Sequence, residues 1–438
     1  MPKVLIFGQS FNSNTGGGVT LTNLFSSWKK VDLAVICTAH ANGNISSEIC
    51  DNYYFIGSDE AKWRYPFRYF QRYMPSGKLP IKNTPQSGSF SIKPNLRDII
   101  IYYVLYPFLE WTGLFYVITK MEVSPNLIKW VNEFSPDLLY IQVSSRESLQ
   151  FATKLSSQLE IPIVLHQMDD WLSSIGNSGI GKKYWMSRIN NEFRVLAQRS
   201  DLCLSICDYM GDEYKRRYGP TFVTFHNPVD LEKWLPSSEV SDQHSSEYSI
   251  LYAGRTGFGI ESSLKQFAQA IELFNACSAK KIKFIIQTAE ILSWPDDYKY
   301  TEHRDLIAYN KLPLLFQSMD FLLMPVDFSE KAIQFLKYSM PTKASEYMAS
   351  GTPIIIMSPE ETAIYQYGKT NDWAFLINSD APKEINRRLK EIVLNEVSKT
   401  EISNKALNLV KRRHSKKIVA QEFLEEFEKL VRIEKVVI

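Results

Sequence analysis

A lysine and a glutamate lie one helical turn apart in the sequence KYSMPTKASEYMASGTPIII, residues 337–356. Lys343 follows a Pro-Thr turn and begins a short predicted helix that also carries Glu346. A lysine is unfavourable at the positive N-terminal end of a helix unless an anion binds there. A carboxylate can accept hydrogen bonds from two hydroxyls, as a ribose requires. The pair therefore predicts a site for the diphosphate and ribose of a nucleotide. We add Ser339 and Thr342 to this site, with Thr342 as the predicted helix cap.

A second candidate site follows the predicted strand Ile250–Tyr252. The strand leads into Gly254, Arg255, Thr256 and Gly257, and a predicted helix comes next. Ligands of doubly wound sheets bind at the carboxyl ends of the strands, where helices begin. Arg255 is therefore placed to bind a phosphate group through two hydrogen bonds, and all four residues are candidates for the nucleotide site. The alternative for the arginine is a surface ion pair.

Three consecutive glycines, Gly16, Gly17 and Gly18, separate the predicted strand Val4–Phe7 and its polar loop from a helix. Backbone NH groups at a helix N-terminus can approach an oxygen-rich ligand closely, and the helix dipole favours negative charge there. The spacing does not match the G-x-G-x-x-G pattern of dinucleotide sites. We name Gly17 and Gly18 as ligand-binding candidates. The alternative is a flexible turn of small residues.

Three polar residues, His166, Asp169 and Asp170, follow the predicted strand Ile161–Leu165. Three such groups together at the ligand-binding edge of a sheet favour chemistry, so we name them as catalytic candidates. Either aspartate could accept hydrogen bonds from substrate hydroxyls. The alternatives are a structural histidine and an aspartate that caps the following helix.

The positive charge of the chain is concentrated in one stretch. The formal net charge is only +2, but residues 62–97 contain eight lysines and arginines and no acidic residue. Aromatic residues are interleaved with this charge, and an apolar, aromatic-rich segment follows at residues 98–118. This combination is typical of a surface that lies on anionic lipid. The candidate contact residues are Trp63, Arg64, Arg68, Arg72 and Trp111.

The basic and aromatic stretch has other interpretations. A solvated loop followed by a buried helix would have the same composition. Glu110, Pro107 and Gly113 argue against a membrane-spanning helix at residues 98–118. Single-stranded nucleic acid could stack on the aromatic residues, but the chain has neither an overall basic charge nor a recognisable nucleic-acid module. We therefore expect no nucleic-acid partner.

Apolar strands alternate with amphipathic helices along nearly the whole chain, which is typical of parallel sheets covered on both faces. At 438 residues the chain is too long for one ordinary core. The polar, serine-rich residues 236–249 are the best linker candidate. The predicted fold class is α/β, with two doubly wound, Rossmann-like domains and a ligand cleft between them. The bounds are 1–236 for the first domain with an insertion at 58–125, 245–414 for the second, and 415–438 for a helix that crosses back to the first.

The cysteines indicate a reducing compartment. There are five of them, an odd number, scattered along the chain, which suggests unpaired packing residues of a cytoplasmic protein. Cys203 and Cys207 lack a second ligand pair nearby, so no metal site is expected. The N-terminus lacks the charged, apolar and small-residue regions of a signal peptide, so we expect no export.

Four motifs together resemble the GT-B glycosyltransferases, in particular family 4 of bacterial surface-polysaccharide synthesis. They are HNPVD at 226–230, ILYAGRTG at 250–257, MDFLLMP at 319–325 and PTKASEYMASGTPI at 341–354. The resemblance implies a nucleotide-sugar donor held mainly by the second domain, an acceptor on the first, and transfer with retention at the anomeric carbon. It implies no metal or other cofactor. It also puts His166 beside the donor sugar and assigns Arg255 and Lys343 to the diphosphate.

The chain departs from that family at two positions. Relatives usually have a lysine six residues after the arginine, where this chain has Glu261, and a glutamate eight residues before Glu346, where it has Tyr338. The missing glutamate normally contacts the donor sugar. A nucleotide-sugar epimerase and a non-catalytic copy of the fold are therefore kept as alternatives. The expected acceptor is a lipid-linked saccharide, with the protein peripheral on the cytoplasmic face of the cell membrane.

Overall fold

The chain forms two compact units. The computed structural model describes residues 1–13, 15–38, 45–79, 101–175, 179–236 and 247–437. Two stretches, Met1–Phe225 and Ala420–Ile438, make up what we call the N-terminal unit, and His226–Val419 is the C-terminal unit.

The boundary between the units falls earlier than the sequence indicates. Trp234 is fully buried in the C-terminal unit, where its ring centre lies 5.5 Å from that of Phe316. Residues 226–236 therefore belong to the C-terminal unit, whereas the sequence pattern places them in the first domain. Most of the predicted linker, residues 237–246, lies outside the described residues.

A mostly parallel sheet forms the centre of the N-terminal unit. The strands of this unit are β1 Val4–Phe7, β2 Leu33–Cys37, β3 Tyr53–Phe55, β4 Ala61–Trp63, β5 Gly77–Lys78, β6 Thr119–Met121, β7 Leu138–Ile141, β8 Ile163–Gln167, β9 Leu202–Ser205 and β10 Phe222–Thr224. Eight of them form the sheet in the order β10-β9-β8-β7-β1-β2-β3-β5, and the β3–β5 pair is antiparallel. The central strands β1, β2 and β7 are apolar and wholly buried, as expected for a sheet covered on both faces.

The described residues of Met1–Phe225 form seven α-helices, of which the second and third belong to the insertion. They are α1 Gly16–Leu24, α2 Tyr106–Thr112, α3 Phe115–Ile118, α4 Pro125–Phe134, α5 Arg146–Leu159, α6 Lys182–Arg199 and α7 Asp208–Tyr218. Helix α4 shows how the sequence specifies them. Ser124 caps it by accepting a hydrogen bond from Leu127 N–H, and a proline occupies its first position. Its buried residues recur at helical spacing, so one face packs on the core.

The predicted insertion is anchored by a small sheet. Strand β4 pairs antiparallel with β6, so both ends of the insertion are joined. The described residues between them include a 3-10 helix at Phe67–Phe70, a π-helix at Ile101–Leu105, and helices α2 and α3. Much of the basic and apolar stretch, residues 80–100, lies outside the described residues. None of the described helices combines the length and apolar character needed to cross a bilayer.

The C-terminal unit contains a second doubly wound sheet. Its strands are β11 Glu247–Ala253, β12 Lys281–Gln287, β13 Thr301–Arg304, β14 Phe321–Pro325, β15 Ile354–Met357 and β16 Phe375–Ile377, and its helices are α8 Leu231–Trp234, α9 Glu261–Cys277, α10 Leu312–Gln317, α11 Glu330–Leu336, α12 Lys343–Ser350, α13 Ala363–Asn371, α14 Pro382–Val393 and α15 Glu396–Arg413. The strand order is β13-β12-β11-β14-β15-β16, and all neighbours are parallel. The carboxyl end of β11, a central strand, therefore presents the loop that carries Arg255.

The last helix, α16 Lys416–Val437, returns the chain to the N-terminal unit, as the sequence predicts. Phe423 and Phe427 of this helix are fully buried. The ring centre of Phe25 lies 5.2 Å from that of Phe423 and 5.9 Å from that of Phe427. Aromatic burial of this kind holds the helix on the N-terminal unit.

Candidate functional site

Lys343 lies at the carboxyl end of β11. Its Nζ donates to the Ala253 carbonyl at 3.0 Å and lies 4.1 Å from the centre of the Tyr252 ring. Gly254 has a φ of +148°, and a Cβ at that position would come within 2.3 Å of Nζ. A side chain at residue 254 would therefore displace the lysine ammonium, and the positive φ would strain any residue other than glycine. The structure thus brings together the strand end and the helix start that the sequence analysis treated separately.

Burial makes the charged form of Lys343 less favourable than it is in water. Burial, the largest effect, lowers the pKa of Lys343 to about 7; Glu346 opposes this shift and Arg255 adds to it. An anion beside Nζ would raise that pKa again, because it would replace the lost hydration of the ammonium group. The site is therefore arranged to gain free energy when an anionic ligand binds.

Glu346 shares its carboxylate with a tyrosine that the sequence analysis missed. The Tyr309 hydroxyl donates to Glu346 Oε1 at 2.6 Å. Burial raises the pKa of Glu346, while the Tyr309 hydrogen bond and Lys343 oppose the rise. The Tyr309 side chain is half exposed, and its ring centre lies 5.8 Å from that of Trp234. Tyr309 precedes Glu346 by almost forty residues, so no local pattern could have paired them.

Glu290 organises the loop after β11. Its Oε2 accepts hydrogen bonds from the backbone N–H and the hydroxyl of Thr256 and from the hydroxyl of Thr288, the latter two at 2.7 Å. Burial works to raise the pKa of Glu290, but these hydrogen bonds lower it overall. Arg255 is exposed in the same loop, and its carbonyl accepts a hydrogen bond from the Tyr252 hydroxyl. Thr256 is thus committed to Glu290, whereas the Arg255 side chain faces solvent. Gly257, which follows, has a φ of +90° and open space around its α-carbon.

The two residues added before α12 differ from each other. Thr342 is exposed and makes no side-chain cap hydrogen bond, so its predicted capping role is wrong. The reason is its backbone conformation, φ −59° and ψ −35°, which is already helical, whereas a side-chain cap needs an extended residue. Ser339 is buried, and its hydroxyl has no hydrogen-bond partner among the described residues. A buried hydroxyl without a partner is a suitable group for a ligand or a water molecule.

Gly18 of α1 has a structural role. The helix begins at Gly16, and the Thr15 hydroxyl accepts the Gly18 N–H at 3.2 Å. This cap engages the N–H that was expected to face a ligand. A Cβ at Gly18 would lie 2.2 Å from the Asn12 amide, which explains the glycine by packing. Gly17 is partly exposed and stays a ligand-binding prediction.

His166 is a buried residue of β8. Its Nδ1 is 2.7 Å from the Tyr140 hydroxyl, and its ring centre is 6.4 Å from that of Phe423. Nε2 has no hydrogen-bond partner among the described residues. Burial lowers the pKa of His166 to about 3, so the ring is neutral at physiological pH. The His166 side chain has no exposed surface. This burial favours the alternative of a structural histidine that the sequence analysis left open.

The two aspartates have opposite environments. Asp170 is buried, and its carboxylate accepts hydrogen bonds from the Tyr214 hydroxyl at 2.8 Å and from the Arg217 guanidinium at 3.0 Å, with a further bond from Ser173. Because protein groups already engage both oxygens, Asp170 is a structural anchor and our catalytic interpretation of it is corrected. Asp169 is exposed, and its role stays a prediction.

The basic and aromatic candidates lie at the surface. Arg64, Arg68 and Arg72 are exposed, Trp111 is half exposed, and Trp63 on β4 is partly buried. Tyr65 and Tyr69 expose about four fifths of their surface. The alternative of a wholly buried helix after the loop is wrong for α2 and α3, which keep several large apolar side chains in solvent.

No metal site is found among the residues that the structure describes, because none of them forms a group of three or more suitable ligands. Cys203 and Cys207 are buried, and burial raises the pKa of each thiol to about 12. Neither is therefore a ready thiolate ligand.

Comparison with known proteins gives the class of fold. No described protein family and no curated protein sequence matches the chain. Solved structures match it along nearly its whole length. Alr3699/HepE of Anabaena, in complex with UDP and glucose, covers 98% of this chain and 100% of its own at a TM-score of 0.58 and 13% identity. Sucrose-phosphate synthase of Thermosynechococcus elongatus covers 98% of this chain and 99% of its own, with a TM-score of 0.61 and 11% identity. A putative UDP-N-acetylglucosamine 2-epimerase of Listeria monocytogenes covers 98% of this chain and 98% of its own, with a TM-score of 0.50 and 8% identity.

These similarities and the two parallel sheets confirm the predicted fold class. The protein has the GT-B fold, with two Rossmann-like units and a last helix that returns to the first of them. The sequence identities are low, so the comparisons define the fold and not the reaction.

Proposed function

We propose that the protein is a retaining glycosyltransferase that moves a sugar from a nucleoside-diphosphate sugar to a saccharide acceptor. The observation that supports this best is the cluster of Lys343, Arg255 and Glu346 around the carboxyl end of β11. This edge of a parallel sheet is where ligands of doubly wound folds bind. The proteins with the same fold include one that was solved with UDP and glucose.

The donor would be held by the C-terminal unit. The Lys343 ammonium and the Arg255 guanidinium would neutralise the diphosphate, so that no metal or other cofactor is needed. Glu346 would accept hydrogen bonds from the ribose, and Ser339 would offer its hydroxyl, which has no partner in the described part of the chain. Stabilising the diphosphate as it leaves is the main electrostatic task of such an enzyme.

In the reaction, an acceptor hydroxyl oxygen forms the new bond to the anomeric carbon, and the bond from that carbon to the diphosphate breaks. The nucleoside diphosphate leaves with the bonding electrons and takes up the proton of the hydroxyl. Retention means that the new bond lies on the same face of the sugar as the old one. NMR of the product anomeric proton tests this directly, and an inverted product would contradict it.

We propose further that the acceptor is lipid-linked and that the protein acts peripherally at the cytoplasmic face of the cell membrane, in cell-surface polysaccharide synthesis such as that of lipopolysaccharide or capsule. The exposed Arg64, Arg68 and Arg72 support this, because cationic side chains among aromatic ones are attracted to anionic lipid. Attraction of this kind weakens as salt rises.

A nucleotide-sugar epimerase is the second candidate, because a putative epimerase has the same fold. One experiment separates the two functions. The purified protein is incubated with a panel of UDP- and GDP-sugars, with and without lipid-linked saccharide, and the products are resolved by chromatography. A transferase releases free nucleoside diphosphate, slowly by hydrolysis without an acceptor. An epimerase produces an isomeric nucleotide sugar instead, and a non-catalytic protein produces neither.

A further inference from the structure

We infer that the start of helix α6 belongs to the same lipid-binding surface as the basic and aromatic stretch, although the two are far apart in the sequence. The inference rests on the proposed membrane role and adds a second segment to it. The combined apolar surface, which we call the apolar ridge, consists of Phe108, Trp111, Leu114, Phe115, Ile180 and Tyr184.

Backbone contacts join the two segments of the ridge. The Ile180 N–H donates to the Trp111 carbonyl at 2.8 Å. Gly179 has a φ of +107°, and a Cβ there would lie 2.2 Å from that carbonyl oxygen. A Cβ at Gly113 would lie 2.3 Å from Nε1 of Trp185. Two glycines thus permit α2 and the start of α6 to meet closely, so residues 111–115 and 180–185 lie side by side.

The side chains of the ridge are large, apolar and exposed. Between 40% and 65% of the surface of each of the six is in solvent. Single exposed apolar residues are ordinary, but a group of six on adjoining segments marks an interaction surface. Glu110 is exposed among them, which favours shallow contact with the headgroup and upper acyl region over deep insertion.

The ridge stands on an ordered base. The Trp185 ring centre lies 5.2 Å from that of Tyr116 and 5.0 Å from the Arg146 guanidinium carbon. Arg146 is buried and bonds both carboxylate oxygens of Glu192, at 2.9 and 2.6 Å. Because this base is already fixed, little conformational entropy is lost when the ridge meets a surface.

Basic segments lie next to the ridge in α6 and in the basic stretch. We therefore infer that the ridge binds an anionic bilayer. The first turn of α6 contains Lys182 and Lys183 and no acidic residue. On the other side, the Arg64 N–H donates to the Ile118 carbonyl at 2.8 Å, which ties the basic stretch to the end of α3. Aromatic and aliphatic side chains flanked by lysine and arginine match the interface of a membrane with negative headgroups.

The test compares two sets of apolar variants with no change in charge. Ile180→Ser with Tyr184→Ser removes the α6 part of the ridge. Ile291→Ser, at a residue of the C-terminal unit that is 96% exposed, is the matched control. Sedimentation with phosphatidylglycerol-containing vesicles should show binding of the double variant weakened by about tenfold or more, since two apolar contacts are lost. The control should bind as the wild type does. The double variant also loses the bond from Arg188 to the Tyr184 hydroxyl, so circular dichroism should confirm that it is folded at the temperature of the binding assay.

A third variant distinguishes this inference from the membrane proposal itself. Charge reversal of Arg64, Arg68 and Arg72 should abolish binding at low salt. If it does so while the α6 double variant binds like the wild type, the α6 inference is overturned and the membrane proposal stands. If the wild type fails to bind these vesicles, both are overturned, and the donor-site proposal is judged by nucleotide binding alone.

Discussion

Polar side chains near the ends of buried strands have different surroundings in the two units. In the C-terminal unit, burial moves the pKa of Lys343 down and that of Glu346 up, so both are pushed towards their neutral forms. In the N-terminal unit, Asp170 is almost fully buried, and Arg217 and Tyr214 hold its carboxylate. The first pair retains capacity for a ligand, and the second group is satisfied by the protein.

The number of protein partners of a buried polar group indicates whether the group contributes to stability or to ligand binding. When the partners of a buried ion come from the protein, removing one of them destabilises the fold, because the other is left without compensation. A buried ion with a shifted pKa and few partners costs free energy until a ligand supplies the missing charge. By this criterion we assign the proposed nucleotide site to the C-terminal unit, whereas Asp170 belongs to the core of the N-terminal unit.

The largest expected effect is on stability in the N-terminal unit. Asp170→Ala should lower the free energy of unfolding by about 3 kcal/mol, because the buried Tyr214 hydroxyl loses its acceptor and Arg217 keeps only Glu213 as an ionic partner. Asp169→Ala, at the exposed neighbour, should cost less than about 1 kcal/mol. Urea unfolding of both variants measures this. Equal losses would remove the contrast between the two aspartates.

The next effect is on binding in the C-terminal unit. Lys343→Ala should weaken the affinity for UDP or GDP by roughly 1.5 to 3 kcal/mol, the usual contribution of a charge-assisted hydrogen bond. Arg255→Ala should have a similar effect, and Glu346→Ala should remove discrimination for the ribose. Lys331→Ala, at an exposed lysine of α11, is the control for charge alone. Calorimetry decides, and unchanged affinity in the first three variants would refute the nucleotide site.

A smaller effect should appear in the pH dependence. In the protein without ligand the pKa of Lys343 is about 7, so the lysine loses its positive charge as pH rises through that value. Nucleoside-diphosphate affinity should therefore be highest below pH 7 and fall above it, by at most about tenfold per pH unit. Lys343→Ala should bind more weakly below pH 7, lack this decline, and approach the wild-type affinity at high pH. A decline that persists in the variant would have another origin.

The smallest effect concerns the loop that Glu290 organises. Glu290→Gln keeps the size of the side chain but removes the charge that holds Thr256 and Thr288. The loop should bind the donor less well, with KM raised about threefold to tenfold and kcat little changed, because only positioning is lost. Steady-state kinetics with Thr288→Val as a partner variant would test this. A large fall in kcat alone would mean that Glu290 takes part in the reaction.

Much of the fold could be predicted from local pattern. The apolar runs located strands such as β1, β11 and β14 to within a few residues, because strands buried on both faces are continuously apolar. Strand β13 was missed since its sequence TEHR is polar and only partly buried at the sheet edge. The α6 segment of the ridge was missed because it adjoins the insertion only in the folded chain.

The candidate site was only partly predictable. Lys343 and Glu346 stand out locally, because a lysine at a helix start conflicts with the helix dipole. Glu290 and Tyr309 carry no such local signal, although Glu290 follows closely on the end of β12, which is itself a ligand-binding position. The capping role of Thr342 failed because a backbone angle, which the residue type does not determine, decides it.

The sequence by itself determined the two doubly wound units, the amphipathic last helix and the mismatched lysine of α12. These follow from short-range periodicity and from the fixed direction of the helix dipole. Only the tertiary structure decided which polar groups are already satisfied. The Tyr140 hydroxyl engages Nδ1 of His166, Arg217 engages Asp170, and Thr15 takes the N–H of Gly18. Two of these three pairs join residues that are distant in the chain, and the third depends on a cap geometry, so composition and spacing alone do not specify them.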